Sequence, residues 1–197
     1  MVLVGLLLTA CIYAQTTSND FFIEGNKKTN AKDYKGAITD YDKAIELDAN
    51  NASAYNNRGL AKLQLEKDKA AIEDFTKAID LQPTYAEAYN NRGLAYGQLR
   101  DYKKAMKDYD KLLQLLPKSI QAYLNRGGVK LQTDDYEGAM QDFTKVIALD
   151  PKNAKAYYDR GMCYYQMQKI EEACADLHKS QSMGYKHAAE MIANNCN

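Results

Sequence analysis

A five-residue signature returns every 34 residues without an insertion: Tyr55-Asn56-Asn57-Arg58-Gly59, Tyr89-Asn90-Asn91-Arg92-Gly93, Tyr123-Leu124-Asn125-Arg126-Gly127 and Tyr157-Tyr158-Asp159-Arg160-Gly161. One step earlier the register falls on Phe21-Phe22-Ile23-Glu24-Gly25, a degenerate first copy, so five copies span about residues 18–187 of the 197-residue chain. A fixed period of this size describes one supersecondary unit, repeated, that buries its apolar face by stacking on its neighbours.

Within a copy, apolar residues recur at three- and four-residue steps, as Ala70, Ala71, Phe75, Ala78 and Ile79 do. That is helical and not strand periodicity. Each copy therefore reads as two helices. The first helices are predicted near 19–31, 53–65, 87–99, 121–133 and 155–167, and the second near 34–47, 68–81, 102–115, 136–149 and 170–183. Pro83, Pro117 and Pro151 follow second helices, where proline cannot continue the hydrogen-bond chain. Thr84 and Glu87 read as a capping box for the next helix. Gly59, Gly93, Gly127 and Gly161 fall inside first helices, where glycine costs about 1 kcal/mol relative to alanine. The aligned Ala71, Ala105, Ala139 and Ala173 predict the reason, a close crossing of bare backbone against a methyl group.

Other columns keep the same register: Ala37 with those four alanines; Tyr41, Phe75, Tyr109, Phe143 and Leu177; Ala44 and Ala78; then the prolines. The order aromatic, Gly, Ala, aromatic, Ala, Pro resembles the tetratricopeptide repeat (TPR). The resemblance implies an all-α fold, a right-handed α-solenoid of five helical hairpins at 18–51, 52–85, 86–119, 120–153 and 154–187. It ends in a cap helix within 186–197, with Ala188, Ala189, Met191 and Ile192 on its buried face.

Residues 2–14 form an uncharged apolar run that gives way at once to the polar stretch Gln15 to Asp20. The run is shorter than the roughly 20 apolar residues a spanning helix needs, and it has the form of a secretory signal peptide, without a basic residue ahead of it. Two processing routes are open. Cleavage after Ala14 leaves residues 15–17 as a short polar linker and a soluble exported protein, periplasmic or secreted. Leu8-Thr9-Ala10-Cys11 instead resembles a lipobox, which makes Cys11 a lipidated N-terminus and the protein a lipid-anchored one. A membrane is a partner only in that second case.

Charge is balanced, 26 basic against 26 acidic residues, so the footprint of a nucleic-acid binder is missing. His178 and His187 are the only histidines; neither belongs to an HExxH motif or stands beside a nucleophile motif. Arg126-Gly127-Gly128-Val129 is the repeat glycine with one neighbour, not a phosphate-cradling loop. No Cys or His spacing suits zinc. The expectation is a non-enzyme without cofactor, metal or small-molecule substrate.

Arg58, Arg92, Arg126 and Arg160 each have an aspartate 16 residues on, Asp74, Asp108, Asp142 and Asp176, and the pairs read as structural intra-repeat ion pairs. An arginine ladder for an anionic ligand is the alternative. In the first copy Glu24 faces Asp40, so there the pair is broken.

Asn57, Asn91, Asn125 and Asp159 form a second polar column. By resemblance it faces the concave surface, like the Asn ladder of O-linked N-acetylglucosamine transferases, which holds extended peptides by their backbone. An Asn amide carries both donors and an acceptor, so it pairs with a peptide group whatever the adjacent side chain. The alternative is that these Asn satisfy backbone groups between repeats. The same resemblance puts Asn56, Leu60, Leu63, Asn90, Leu94, Leu124, Leu131, Tyr158, Met162 and Tyr165 in the groove lining, with a side-chain pocket at the aromatic C-terminal end. Asn56, Asn90 and Leu124 occupy the column where chaperone-binding TPRs place a clamp lysine, and Leu60 and Leu94 that of the clamp Asn, so an acidic C-terminal tail is not the expected ligand. The functional expectation is a scaffold for an extended peptide or protein segment. The rival is a structural or oligomerisation module, packed on copies of itself or in an envelope assembly.

Ala173-Cys174-Ala175-Asp176 with a terminal Cys196 resembles exported bacterial TPR proteins. An antiparallel cap helix brings Cys196 to the start of the last second helix, so a Cys174–Cys196 disulfide is expected, with Cys163 left over or a rival partner. The alternative is three reduced, buried cysteines in a cytosolic protein.

Overall fold

The computed structural model describes residues 17–196. The apolar N-terminal run, both processing sites and Cys11 lie outside the described residues. Eleven helices are described: α1 Ser18–Asn30, α2 Tyr34–Leu47, α3 Ala52–Leu63, α4 Asp68–Leu81, α5 Ala86–Gln98, α6 Tyr102–Leu115, α7 Ile120–Gln132, α8 Tyr136–Leu149, α9 Ala154–Gln166, α10 Ile170–Ser182 and α11 His187–Asn195. Each odd helix through α9 packs on the even helix that follows it. Hairpins stack in order, and α11 closes the end against α10. The result is an α-solenoid in which α1, α3, α5 and α7 stand side by side along one wall. Among the described residues no helix is long and apolar enough to cross a membrane.

The core repeats with the sequence. Ala37, Ala71, Ala105 and Ala139 are fully buried, as are Tyr41, Phe75 and Phe143, with Tyr109 at 2% exposure and Leu177 at 0%. The glycines face this aromatic column, which corrects the expected glycine-to-alanine crossing. A Cβ on Gly25, Gly59, Gly93 or Gly127 would sit 2.6–2.8 Å from the ring of Tyr41, Phe75, Tyr109 or Phe143. The ring needs the space because it lies flat on the bare helix. At Gly161, where Leu177 replaces the ring, the Cβ position lies 3.2 Å from both Leu177 Cγ and the Ala173 carbonyl oxygen.

Each hairpin turns through a residue in the left-handed region, Lys32, Glu66, Arg100, Asp134 or Gln168, with φ between 57 and 62°. The two bonds of a Schellman motif close it, as in Asp33 N–H to Lys28 O at 2.9 Å and Lys32 N–H to Thr29 O at 2.9 Å. None of the five is glycine, so composition alone does not mark these turns.

The capping box expected at Thr84 and Glu87 does not form: the N-cap of α5 is Tyr85, which makes no side-chain cap bond. Thr84 lies one residue too early. The capping box is at α1 instead, where Thr17 and Asp20 exchange bonds.

Candidate functional site

The recurring Tyr and Arg of the signature are one structural unit. Three residues apart on a first helix, they put the Arg58, Arg92, Arg126 and Arg160 guanidinium carbons 5.3–5.7 Å from the ring centres of Tyr55, Tyr89, Tyr123 and Tyr157. Each guanidinium also grips its aspartate with two parallel bonds; for Arg92 and Asp108 these are Nε at 2.9 Å and Nη2 at 2.7 Å. The third bond leaves the repeat. Arg58 Nη1 donates to Asp42, Arg92 to Thr76, Arg126 to Asp110 and Arg160 to Thr144, all on the second helix of the preceding hairpin. Each arginine thus fastens two hairpins. Burial alone lowers the Arg92 pKa, and the bonds and charge of Asp108 reverse this and raise it. With every one of these arginines held inside the protein, the alternative of a ladder for an anionic ligand loses its donors.

The first copy departs from the expectation. Asp40 is not left facing Glu24; Lys28 reaches it at 2.6 Å. The same column supplies Lys62 to Asp74 at 2.7 Å and Lys130 to Asp142 at 2.9 Å, while Tyr96 and Tyr164 interrupt it.

The amides of the odd-helix wall form one chain. Gln121 Nε2 donates to Asn125 at 2.7 Å, Asn125 to Asn90 at 2.9 Å, Asn90 to Asn91 at 3.5 Å, Asn91 to Asn56 at 3.0 Å, Asn56 to Asn57 at 3.1 Å and Asn57 to Asn26 at 2.9 Å. Tyr41 donates its hydroxyl to the same Asn26 oxygen at 2.7 Å, and Thr29 lies 3.0 Å from that hydroxyl. The sequence columns of Asn57 and of Asn56 are therefore not two ladders but one relay. Each bond that passes between helices donates to the first helix of the preceding hairpin. In this relay the Asn side chains satisfy one another and not backbone groups.

Two expected members stand apart. Asn56 is 1% exposed and works inside the relay, so it offers no face to a ligand. Asp159 is buried and held by Lys155, and burial raises its carboxyl above the usual range. The relay stops before it because Leu124 replaces the amide of Asn56 and Asn90 that would carry it on.

Three cavities follow the relay. One of about 300 Å³ is lined by Asn26, Thr29, Tyr41, Asn57 and Leu60. A second, of about 350 Å³, is lined by Leu60, Asn90, Asn91, Leu112, Leu116 and Gln121. The third, of about 430 Å³, holds Leu94, Gly97, Tyr109, Leu124, Asn125 and Gly128. Leu60, Leu94 and Leu124 each line at least one of these cavities. Leu63 and Leu131 line none of these three cavities; half-buried, they pack against the same core clusters as Leu60 and Leu124. At the C-terminal end Tyr158 packs on Tyr185 at 5.0 Å between ring centres, and Tyr185 on His187 at 5.3 Å. Tyr158 thus packs on the connection into α11, and Tyr158, Met162 and Tyr165 are all half-buried. Sequence reasoning missed Asn26, Gln121, Gly97 and Gly128, which break their columns and so carried no repeat signal.

Cys174 and Cys196 form a disulfide, Cα to Cα 5.6 Å. Cys163 does not compete: it is buried beside Ala139 and Phe143, and burial pushes its thiol up to about 12.

With this geometry the comparisons agree. A TPR repeat model matches residues 25–66 and 59–100, and two tetratricopeptide repeat models match 93–156 and 143–175. The chain belongs to the tetratricopeptide repeat family. It is similar to a protein STIP1 homolog of Dictyostelium discoideum, 39% identical over 51 residues, or 26% of this chain; the chain covers 9% of that relative's length. Among solved structures, MamA is 27% identical with a TM-score of 0.78, covering 84% of this chain and 96% of MamA. The first TPR of Spaghetti (RPAP3), bound to the HSP90 peptide SRMEEVD, is 29% identical with a TM-score of 0.59, covering 60% and 94%. YrrB shares the fold at a TM-score of 0.79 and 23% identity, covering 92% and 93%.

Proposed function

We propose that this protein is a non-catalytic scaffold whose odd-helix groove binds an extended segment of a partner protein. The observation that carries the reading is the line of three cavities along the amide relay. In the relay Asn91 spends one N–H and one oxygen lone pair, as does Asn125, and each keeps a second of both for a peptide group. Leucines between the amides give the segment's side chains apolar contact. The likeness to the RPAP3 repeat solved with an HSP90 peptide supports peptide binding as the use of this surface. The ligand class differs from an acidic tail, since Asn56, Asn90 and Leu124 bring no positive charge where a clamp lysine would stand. We place the protein outside the cytoplasm, soluble or lipid-anchored, a reading supported by the Cys174–Cys196 bond, which oxidising compartments preserve.

The test is an array of extended peptides, with fluorescence anisotropy on those retained. Asn91→Ala and Asn125→Ala should each weaken binding about tenfold, the loss of roughly one well-placed hydrogen bond. Peptide binding indifferent to both substitutions, or a concentration-dependent assembly with no peptide retained, argues for the structural module instead.

A further inference from the structure

Tyr41 and Tyr109 are equivalent residues in the first and third repeats, and only one has a partner for its hydroxyl among the described residues. Tyr41 bonds to Asn26 at 2.7 Å and Thr29 at 3.0 Å. In the third repeat those two positions are Leu94 and Gly97. Tyr109 is 2% exposed and lines the 430 Å³ cavity beside Gly97, where neither of those neighbours offers its hydroxyl a side-chain partner. Its hydroxyl keeps an accessible edge, which opens into that cavity and is free to pair with an incoming group.

The cavity itself is made by absent side chains. Gly97 stands where the other repeats carry Thr29, Leu63, Leu131 and Tyr165, and Gly128 where they carry Asn26, Leu60, Leu94 and Met162. Unlike the repeat glycines, neither is required by packing, since a Cβ on Gly97 or Gly128 meets nothing within 4 Å. Both lie inside helices, where glycine is unfavourable. Two glycines that packing does not need, facing one chamber, leave room for something from outside.

We infer that this chamber between the third and fourth repeats is a receptor for one uncharged side chain of the bound segment, a tyrosine, whose hydroxyl takes at Tyr109 the place that Thr29 fills at Tyr41. The inference rests on the groove reading above. Leu94, Leu124 and Val129 supply walls for a ring, no charged residue lines the chamber, and its volume suits an aromatic group. Tyr109 stays neutral, because burial first and the Asp108 charge second hold its phenol above the ordinary value, so it remains able both to donate and to accept.

The experiment uses p-cresol, the tyrosine side chain alone, with toluene as the ring without its hydroxyl, followed by amide NMR on the full chain. The expected result is that p-cresol moves the Gly97 and Gly128 amide signals. Gly97→Leu, the residue two other repeats carry, removes the effect while the protein stays folded. Tyr109→Phe, matching Phe75 and Phe143, weakens p-cresol about fivefold or more, roughly one hydrogen bond, and leaves toluene unchanged. The inference is overturned if p-cresol leaves those amides still, survives Gly97→Leu, or binds no differently from toluene both in the wild type and in the Tyr109→Phe variant. Peptides held in the groove with affinity unaffected by Gly97→Leu would overturn the receptor and leave the groove standing. Cresol held at the glycines with no peptide retained would sink the groove reading alone.

Discussion

Arg92 is the only cation among the described residues that pairs with Asp108, whereas Asp142 is shared by Arg126 and Lys130. The two carboxylates are buried alike, at 4% and 3% exposure, so the difference lies in the second cation. Stranding a buried charge costs about 3–5 kcal/mol. Arg92→Met should therefore lower urea stability by about 3 kcal/mol, and Arg126→Met by about half of that because Lys130 still neutralises its partner. Equal losses in equilibrium unfolding would show that the lysine contributes nothing.

The glycines divide into two kinds, and alanine substitution separates them by sign. Gly97→Ala should raise stability by about 1 kcal/mol, the helix-propensity gain in open space. Gly59→Ala gains the same propensity but places a Cβ 2.7 Å from Phe75, and should lose about 1–3 kcal/mol net through overpacking. Thermal melts of the two variants check both signs.

Alkaline stability should depend on the buried phenols. Tyr41, Tyr85 and Tyr109 have their pKa values raised, first by burial, from an ordinary value of 10.0. The native chain then keeps protons that the unfolded chain releases, so the stability is whole below about pH 10 and declines as pH rises above it, until the native phenols ionise as well. Tyr109→Phe should flatten that decline, measured as the urea midpoint between about pH 9 and pH 11. An unchanged slope would mean that the ring is open to water.

Reduction should act on one end. The Cys174–Cys196 bond closes a separation of 22 residues, and losing it should cost about 3 kcal/mol. Hydrogen exchange should speed up first in α10 and α11 after Cys196→Ser. Cys163 should stay unalkylated in the native protein, its thiol buried and held up to about 12.

The helical array was legible because its evidence is repeated: a residue such as Phe75 or Ala71 states the same packing demand that Tyr109 or Ala105 states again. Helix bounds and the Arg to Asp pairs followed from that register. What escaped were features that break it. Lys32, Glu66 and Arg100 take a left-handed turn without being glycine, because the Schellman bonds around them impose it. Asn56 meets Asn91 at an offset of 35 residues and Asn57 meets Asn26 at 31, so no single column displays the relay. Spacing pairs Gly59 with Ala71 when its true neighbour is the Phe75 ring, since spacing names the helix faced but not which of its side chains fills the gap.

The covalent bond near the last helix also sets where the array begins to wear. In a stack whose units touch only their neighbours, opening starts at an end and moves inward. Cys174 and Cys196 tether one end. At the opposite end α1 carries Glu24 where later repeats carry arginine, so Asp40 has a single lysine and no guanidinium fork to hold it. Melting should run as a one-way unravelling from α1, and whatever lies against Asn26 should let go before whatever lies against Asn125.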